Sequence, residues 1–473
     1  MGERWSVFVG ELKRVSFIAA PMVAVTVMQY LLQFASVMMV GHLDELSLSG
    51  VSIATSFTSV TGFSFLFGLA GALETLCGQA YGAEQYQKLG IYTYASIISL
   101  ILVCLPVSLL WLFTEKILRL TGQDPSISFV AQKYSIYLIP NLFPYAILQS
   151  LIRYFQTQGL ILPMFFSSLA TLCFHVPLCW VLVFKLELEI LGAALAINLS
   201  YWLNVILLGF YMKFSSSCEK TRAVFSKEVF LSIKEFFRFA IPSATMVCLE
   251  WWSYEVLILL SGLVPNPKLE TSVLSICFSI TYLHYNIPYG FGATASTLVA
   301  HELGAGHAKT AKVAVCAVMV LAVLETVIVS ATLFFSRHRL GYAFSNDREI
   351  VDHVADISPL ISLSIIMDGL QVVFSGVARG IGWQHIGTYI NLGAYYLVGT
   401  PVGVVLAFVF HLRGKGLWIG LVTGSTVQAL LFATKTSLTH WQKQASKARE
   451  RILEGDCNTP TQTTSEFVHV DRG

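Results

Sequence analysis

The sequence predicts an all-α polytopic membrane protein of twelve transmembrane helices in two pseudo-twofold-related six-helix lobes. Three observations carry that expectation. Hydrophobic residues make up 55% of the 473 and charged residues 12%, with a mean hydropathy of +0.67, too apolar for a soluble chain of this length. Twelve apolar runs are each long enough as helix to cross a ~30 Å hydrocarbon core, which takes about 20 residues. The chain also repeats itself. Shifted by 221 to 224 residues, Pro21 falls on Pro242, Gly41 on Gly262, Gly68 on Gly290, Thr75 on Thr297, Gly82 on Gly304, Gly159 on Gly382 and Gly192 on Gly416.

The first six runs cover residues 15–40, 46–76, 90–113, 127–151, 160–184 and 190–213. The second six cover 236–262, 271–299, 311–335, 350–376, 387–411 and 416–440. Each break has a local cause. His42-Leu43-Asp44-Glu45 and Val264-Pro265-Asn266-Pro267-Lys268 are polar or proline turns, while Thr121-Gly122-Gln123-Asp124-Pro125 and Ser345-Asn346-Asp347-Arg348 match each other across the repeat. The longest polar interruption, with Ser215-Ser216-Ser217 and mixed charges, reads as a linker. The domains expected are therefore an N-lobe over 1–214, a linker over 215–235, a C-lobe over 236–440 and a tail over 441–473. That tail is basic as far as Arg451 and then of disordered composition.

An even number of spans per half inserts both copies the same way up, with the pseudo-twofold axis along the membrane normal. The face holding both termini and the even-to-odd loops carries 20 of the Lys and Arg residues, the opposite face 10. Both termini are expected in the cytosol. The first apolar run is too long for a signal-peptide core, so the N-terminus is expected to be a retained cytosolic lead-in. A net charge of +2 and the lack of a basic stripe interleaved with aromatics argue against nucleic acid as a partner. The nine cysteines are odd in number and contain no CxxC, and most sit in apolar runs, so no disulfide framework is expected.

Chemistry is sought where charge is anomalous. Within the repeat, Gln29 aligns with Glu250, Phe34 with Glu255 and Tyr145 with Asp368, so only the second copy bears acids. An ionised carboxylate at a helix centre costs roughly 2.5–3.5 kcal/mol on insertion scales. Two acids in the seventh run call for an interior cavity. Charge burial and mutual repulsion equip at least one of them to take up and release a proton near neutral pH. Glu255 follows Glu250 by five residues, about 140° around an ideal helix, so a shared site needs a bend or a wide cavity. Asp368 has no basic neighbour closer in sequence than Arg379. Carboxylates buried in one copy of a duplicated apolar chain point to a cation-driven secondary transporter. Pro21 and Pro242 each remove a helical hydrogen bond and are candidate hinges. Aromatics crowd the acids, and Trp251, Tyr254, Tyr282, Tyr285 and Tyr395, with Gln29 and Gln33 of the first run, are candidates to line a substrate cavity. Glu74 aligns with Ser296 and reads as a cap or an interlobe contact; Glu325 is neutral between structure and function.

Two motifs are decoys. His301-Glu302-Leu303-Gly304-Ala305-Gly306-His307 has its second histidine six residues on rather than four, and its glycines spoil the helix a zinc site needs. Gly290-Phe291-Gly292-Ala293-Thr294-Ala295 follows no strand. With no P-loop and no nucleophile–base or metal constellation, neither an enzyme nor a resident cofactor is expected.

Val40-Gly41-His42-Leu43, Leu76-Cys77-Gly78-Gln79-Ala80-Tyr81-Gly82-Ala83, Cys248-Leu249-Glu250-Trp251-Trp252, Glu302-Leu303-Gly304-Ala305-Gly306 and Arg379-Gly380-Ile381-Gly382-Trp383-Gln384 together resemble the plant branch of the multidrug and toxic compound extrusion (MATE) family. The resemblance runs from Leu12 to Arg451. It implies a V-shaped, two-lobed bundle that exports organic solutes against protons or sodium, with the coupling acids of the C-lobe in spans seven and ten, here Glu250, Glu255 and Asp368. Archaeal and some bacterial relatives use an aspartate in span one; this chain has Gln29 and Gln33 there instead, which argues against an N-lobe coupling site, and the short connection Gln79 to Leu89 disfavours citrate. The expectation is a monomeric proton-coupled exporter of small cationic or aromatic compounds, in the plasma membrane rather than the vacuolar one. The rivals are sodium coupling and a lipid or lipid-linked sugar flippase, whose cavity should be basic.

Overall fold

The computed structural model describes residues 2–343 and 348–457, and among them every regular element is helical. The N-lobe supplies α1 (Gly2–Val40), α2 (Leu46–Gly82), α3 (Tyr86–Trp111), α4 (Pro125–Gln156), α5 (Ile161–Lys185) and α6 (Glu189–Phe214). The C-lobe supplies α7 (Lys227–Ser261), α8 (Pro267–Gly304), α9 (Ala308–Leu340), α10 (Arg348–Ile381), α11 (Gln384–Val409) and α12 (Arg413–Ser437). A final helix, α13 (Trp441–Cys457), follows. Eleven of the twelve expected spans are long and apolar enough to cross a membrane. The exception is α8, whose Tyr282-Leu283-His284-Tyr285-Asn286 stretch is too polar. That helix spends its polar groups on protein: His284 pairs with Glu325 of α9 at 3.0 Å, and Thr26 of α1 donates to the Asn286 carbonyl at 2.8 Å.

Helix starts follow local chemistry. Asp44 caps α2 by accepting from the Ser47 amide at 2.7 Å, and Asp124 caps α4 by accepting from the Ser126 and Ile127 amides, with Pro125 at the first helical position. Asn266 adopts φ 60° and hands over to Pro267, which opens α8. The helix α7 begins at Lys227, inside the stretch expected as linker, leaving 215–226 with a single 3-10 turn, Ser216–Cys218, as the connection. Cys218, although it lies in this connection, is buried. The first part of the tail is helical because Trp441, Ala445, Ala448 and Ile452 form one apolar stripe, buried mainly against the C-lobe. The remainder of the tail, 458–473, and the turn residues Ser345, Asn346 and Asp347 lie outside the described residues.

The lobes meet through α1 against α8, α7 against α2, and the ends of α2 and α8 against each other. These contacts come in pairs that the repeat exchanges. A Cβ on Gly68 would meet Ala244, and one on Gly290 would meet Val23. One on Gly82 would strike the His301 carbonyl, and one on Gly304 the Gln79 carbonyl. The hydrogen bonds are paired too. Thr75 donates to the Arg379 carbonyl as Thr297 does to that of Gln156; Gln79 donates to Gly380 at 3.0 Å as His301 reaches the Thr157 carbonyl at 2.5 Å. Even backbone irregularities recur: π turns at Val181–Lys185 and Val405–Val409, and left-handed glycines closing α4 (Gly159, φ 71°) and α10 (Gly382, φ 92°), where only glycine is unstrained.

Candidate functional site: a buried acid beside an interlobe aromatic cavity

Glu250 lies in the middle of α7, 5% exposed, because side chains of α8, α10 and α12 close over its carboxylate. Its carboxylate accepts from Gln371 of α10 at 3.1 Å, Gln428 of α12 at 3.5 Å and Tyr285 of α8 at 3.5 Å. The amide orientations are fixed from outside. Gln428 accepts from Tyr395 at 2.7 Å and donates to Asn391 at 2.7 Å, and Asn391 donates in turn to the Met246 carbonyl of α7 at 2.8 Å. Each ligand of Glu250 therefore presents a hydrogen, the arrangement that holds a carboxylate in a dry interior. Asp368, one α10 turn from Gln371, is also buried, with Oδ1 free of any partner among the described residues. Gln371, which donates to Glu250, stands three residues along α10 from Asp368, and Tyr395 holds Gln428, the second amide on Glu250. Glu250 and Asp368 thus form one cluster. Glu255 does not join it: it stands half-buried further along α7, with Tyr282 as its electrostatic neighbour.

Between the lobes lies a cavity of about 110 Å³ walled by α1, α2, α4, α6, α7 and α8. Of the seven residues expected to line it, Gln29, Gln33, Trp251, Tyr282 and Tyr285 do so, whereas Tyr395 bonds Gln428 behind Glu250 and Tyr254 packs on Phe278. The sequence reading passed over Tyr30, Phe67, Tyr145 and Tyr201. The repeat held the signal for Tyr145, since it occupies the position of Asp368. Among the described residues, no ionisable acid or base other than tyrosine lines this cavity. Its aromatics form a continuous run: Tyr30 meets Tyr282 edge-on at 5.3 Å, Tyr282 stacks with Tyr285 and Tyr285 with Tyr289, and Phe67 bridges Tyr289 to Trp251. A smaller void, about 10 Å³, is lined by Glu250, Arg379 and the same Phe67, Trp251, Tyr285 and Tyr289. Tyr285 is consequently both a wall of the cavity and a ligand of the acid.

Beneath the cavity Glu74 of α2 is fully buried between two guanidinium groups, Arg153 of α4 at 3.2 Å and Arg379 of α10 at 2.9 Å. Arg153 also donates to Tyr289 at 2.8 Å and stacks over Phe67. Glu74 is an interlobe contact with charges on both sides, and its partners were invisible from sequence spacing. The candidate hinges sit away from all this: Pro21 within α1 beside a surface cleft, and Pro242 within α7, its carbonyl accepting from Thr388 at 3.0 Å. The histidine motif at 301–307 is spent on structure, with His301 on the Thr157 carbonyl and Glu302 on Arg14 at 3.0 Å.

Comparison with known proteins agrees with this architecture. The MatE family profile matches residues 21–181 and 242–405, one match per lobe. Protein DETOXIFICATION 14 of Arabidopsis thaliana is 57% identical over 463 residues, covering 98% of this chain and 95% of the relative. Protein DETOXIFICATION 8 of the same plant is 56% identical over 443 residues, covering 94% and 91%. The crystal structure of the eukaryotic MATE transporter AtDTX14 superposes with a TM-score of 0.91 at 57% identity, covering 94% of this chain and 100% of that one. An outward-facing MATE transporter of the MOP superfamily shares the fold at 15% identity, TM-score 0.80, over 94% and 97%. This chain is a plant-type member of the MATE family, a multi-pass membrane transporter of the detoxification class and not an enzyme.

Proposed function

We propose that this transporter exports small cationic or aromatic organic compounds in exchange for protons, with Glu250 carrying the proton, Asp368 sharing it, and Glu255 serving the proton's path at the cavity side of α7. The observation that carries the reading is Tyr285, which walls the aromatic cavity and donates to Glu250. A proton on Glu250 turns one acceptor oxygen into a donor. Tyr285, Gln371 and Gln428 then compete for fewer lone pairs, and the Tyr282–Tyr285–Tyr289 stack that contacts substrate must readjust. A stacked tyrosine wall with no basic side chain among its described lining residues suits flat organic cations and does not suit the phosphate of a lipid or lipid-linked sugar. Protons are favoured over sodium because the ligands of Glu250 offer N–H and O–H groups, whereas sodium needs several convergent oxygen lone pairs.

One chain supplies both lobes, the cavity and the acids, so a monomer suffices. The excess of basic residues on the face with both termini supports a cytosolic location for that face, and we assign the transporter to the plasma membrane. The test is Glu250→Gln in proteoliposomes. Uptake of a fluorescent organic cation driven by an imposed proton gradient should vanish, while cation binding and the elution profile of the protein persist. Full gradient-driven transport by that variant would sink the assignment, and transport driven equally by sodium alone would replace the proton with sodium.

A further inference from the structure

The repeat supplies an internal control for one surface feature. Beside Pro242 a cleft of about 510 Å³ opens between α7, the turn into α11, and α13, and its walls include Arg238, His385, Lys447 and Arg451. Beside Pro21 the first copy has the corresponding cleft, about 840 Å³. There Phe17 stands in the place of Arg238, Ile161 in that of Gln384 and Leu162 in that of His385. The two halves insert the same way up, so the clefts lie at one depth on one face. A general excess of basic residues would load both alike. The chain instead gives the second Arg238, Lys447 and Arg451, and the first Lys13 alone.

The cations are not all consumed internally. Arg238 and Lys447 have no ion-pair or hydrogen-bond partner among the described residues, and the imidazole of His385, with burial and the cations Arg451, Lys447 and Lys435 opposing its charge, stands beside them as a neutral group. Arg451 is the anchor, donating to Gln79 of the N-lobe at 3.0 Å and to the Ile381 carbonyl at 3.2 Å, with its face over Phe239. The first turn of α11 starts here, and its unpaired amides add positive potential. Acceptors are present as well. Gln384, 1% exposed, spends its Nε2 on Thr75 at 2.6 Å and leaves its buried Oε1 without a partner among the described residues; Glu450 also lines the cleft. Cations and amides suit phosphate; the two acceptors need hydroxyl donors. On the membrane side, Ile241 of α7 and Tyr389 of α11 are exposed, a surface fit for acyl chains.

We propose that this cleft binds the phosphorylated polyol headgroup of an anionic lipid, of the phosphoinositide class, in the leaflet on the face bearing both chain ends. A headgroup there touches Pro242 of α7 and braces α13, whose Arg451 reaches across to Gln79. Occupancy therefore favours the arrangement in which the lobes are closed on this face, and the lipid modulates export without entering the transport cavity. The cytosolic identity of the leaflet rests on the orientation proposed above; the site itself does not.

The test uses the full chain in nanodiscs of phosphatidylcholine with and without a phosphatidylinositol phosphate, reading lipid retention by native mass spectrometry and thermal stability. Arg238→Gln with Lys447→Gln should weaken retention by about 25-fold, about fivefold for each basic residue lost. Lys227→Gln with Lys234→Gln, which removes the same charge from outside the cleft, should leave retention unchanged. Equal losses in the two pairs, or no retention by the parent, overturn the proposal. A soluble inositol phosphate that binds as tightly as the lipid overturns the leaflet as source. Nanodiscs expose both faces, so a wrong orientation leaves these results intact and shows up separately, as protection of the C-terminal tail from protease added to cytosol-facing membranes.

Discussion

Replacing Glu74 with Gln keeps the shape of the buried interlobe contact and removes its negative charge. In the parent, one carboxylate lies between Arg153 at 3.2 Å and Arg379 at 2.9 Å, and its side chain is 0% exposed. Glu74→Gln leaves two guanidinium groups facing each other in the interior with no counter-charge. Removing one partner of a buried pair costs about 3–5 kcal/mol. Arg379 belongs to the C-lobe and the other two groups to the N-lobe, so the cost falls on the state in which the lobes are joined here. That state should lose population by a few hundred- to a few thousand-fold relative to one with the lobes apart, if parting lets water reach the arginines. The assay is maleimide labelling of Ala300→Cys in a background lacking other cysteines. Ala300 is fully buried and packs against Gly78 across the lobe interface. Glu74→Gln should speed labelling at least a hundredfold and lower the melting temperature. Adding Arg379→Gln removes one of the two stranded charges and should restore part of both, a non-additivity diagnostic of contact. Parental labelling rates in Glu74→Gln, or strictly additive losses in the double variant, would refute the latch.

Three further outcomes follow from the same geometry. Asp368→Asn should cripple proton-driven efflux, and Glu250→Gln with Asp368→Asn should be little worse than either alone, because the acids share one cluster; multiplicative losses in transport assays would make them independent. Pro21→Ala should slow turnover more than Pro242→Ala at equal expression, since the Pro242 segment is tied to α11 through Thr388 and Asn391; near-parental rates in both would favour rigid rocking of the lobes. Gly304→Ala should unfold at lower temperature because its Cβ strikes the Gln79 backbone, whereas Gly209→Ala, with open space around it, should be neutral or stabilise by up to ~1 kcal/mol; matching melting curves for the two would contradict the close approach.

What the sequence revealed was anomaly against a uniform background. Glu250 and Asp368 stood out because a charge in an apolar run is costly, and the lobes stood out because glycines and prolines recurred at a fixed shift. The neutral ligands of Glu250 did not stand out: Gln371 and Gln428 carry no charge, and their meeting on one carboxylate, with Asn391 fixing Gln428 from behind, depends on α7, α10, α11 and α12 converging. Gln371, three residues after Asp368 and so on the same face of α10, was the one within reach. Helix ends outside the bilayer were misjudged for a related reason. Lys227-Glu228 and the α13 stripe of Trp441, Ala445, Ala448 and Ile452 are amphipathic, and a search for apolar runs passes over them. The polarity of α8 was read as an ordinary span, although it marks the one whose side chains serve the cavity and the other lobe.

The duplication constrains where function can reside. The contacts that join the lobes are largely backbone contacts, Gly82 on His301 and Gly304 on Gln79, Thr75 on Arg379 and Thr297 on Gln156, and the repeat exchanges them without loss. A scaffold built that way treats its halves alike and has no preference for which lobe responds to a proton. Preference enters only where equivalent positions carry different side chains: Glu250 against Gln29, Asp368 against Tyr145, and Glu74 against Ser296. Arg379 belongs with them, because its counterpart Gln156 turns to the Ala293 carbonyl at 3.2 Å while Arg379 reaches Glu74. Arg379 and Glu250 line the same small void. These asymmetric positions are therefore connected in space, from Glu250 of the C-lobe through Arg379 to Glu74 of the N-lobe. A symmetric hinge with one charged side can move in response to that charge, and a wholly symmetric one cannot.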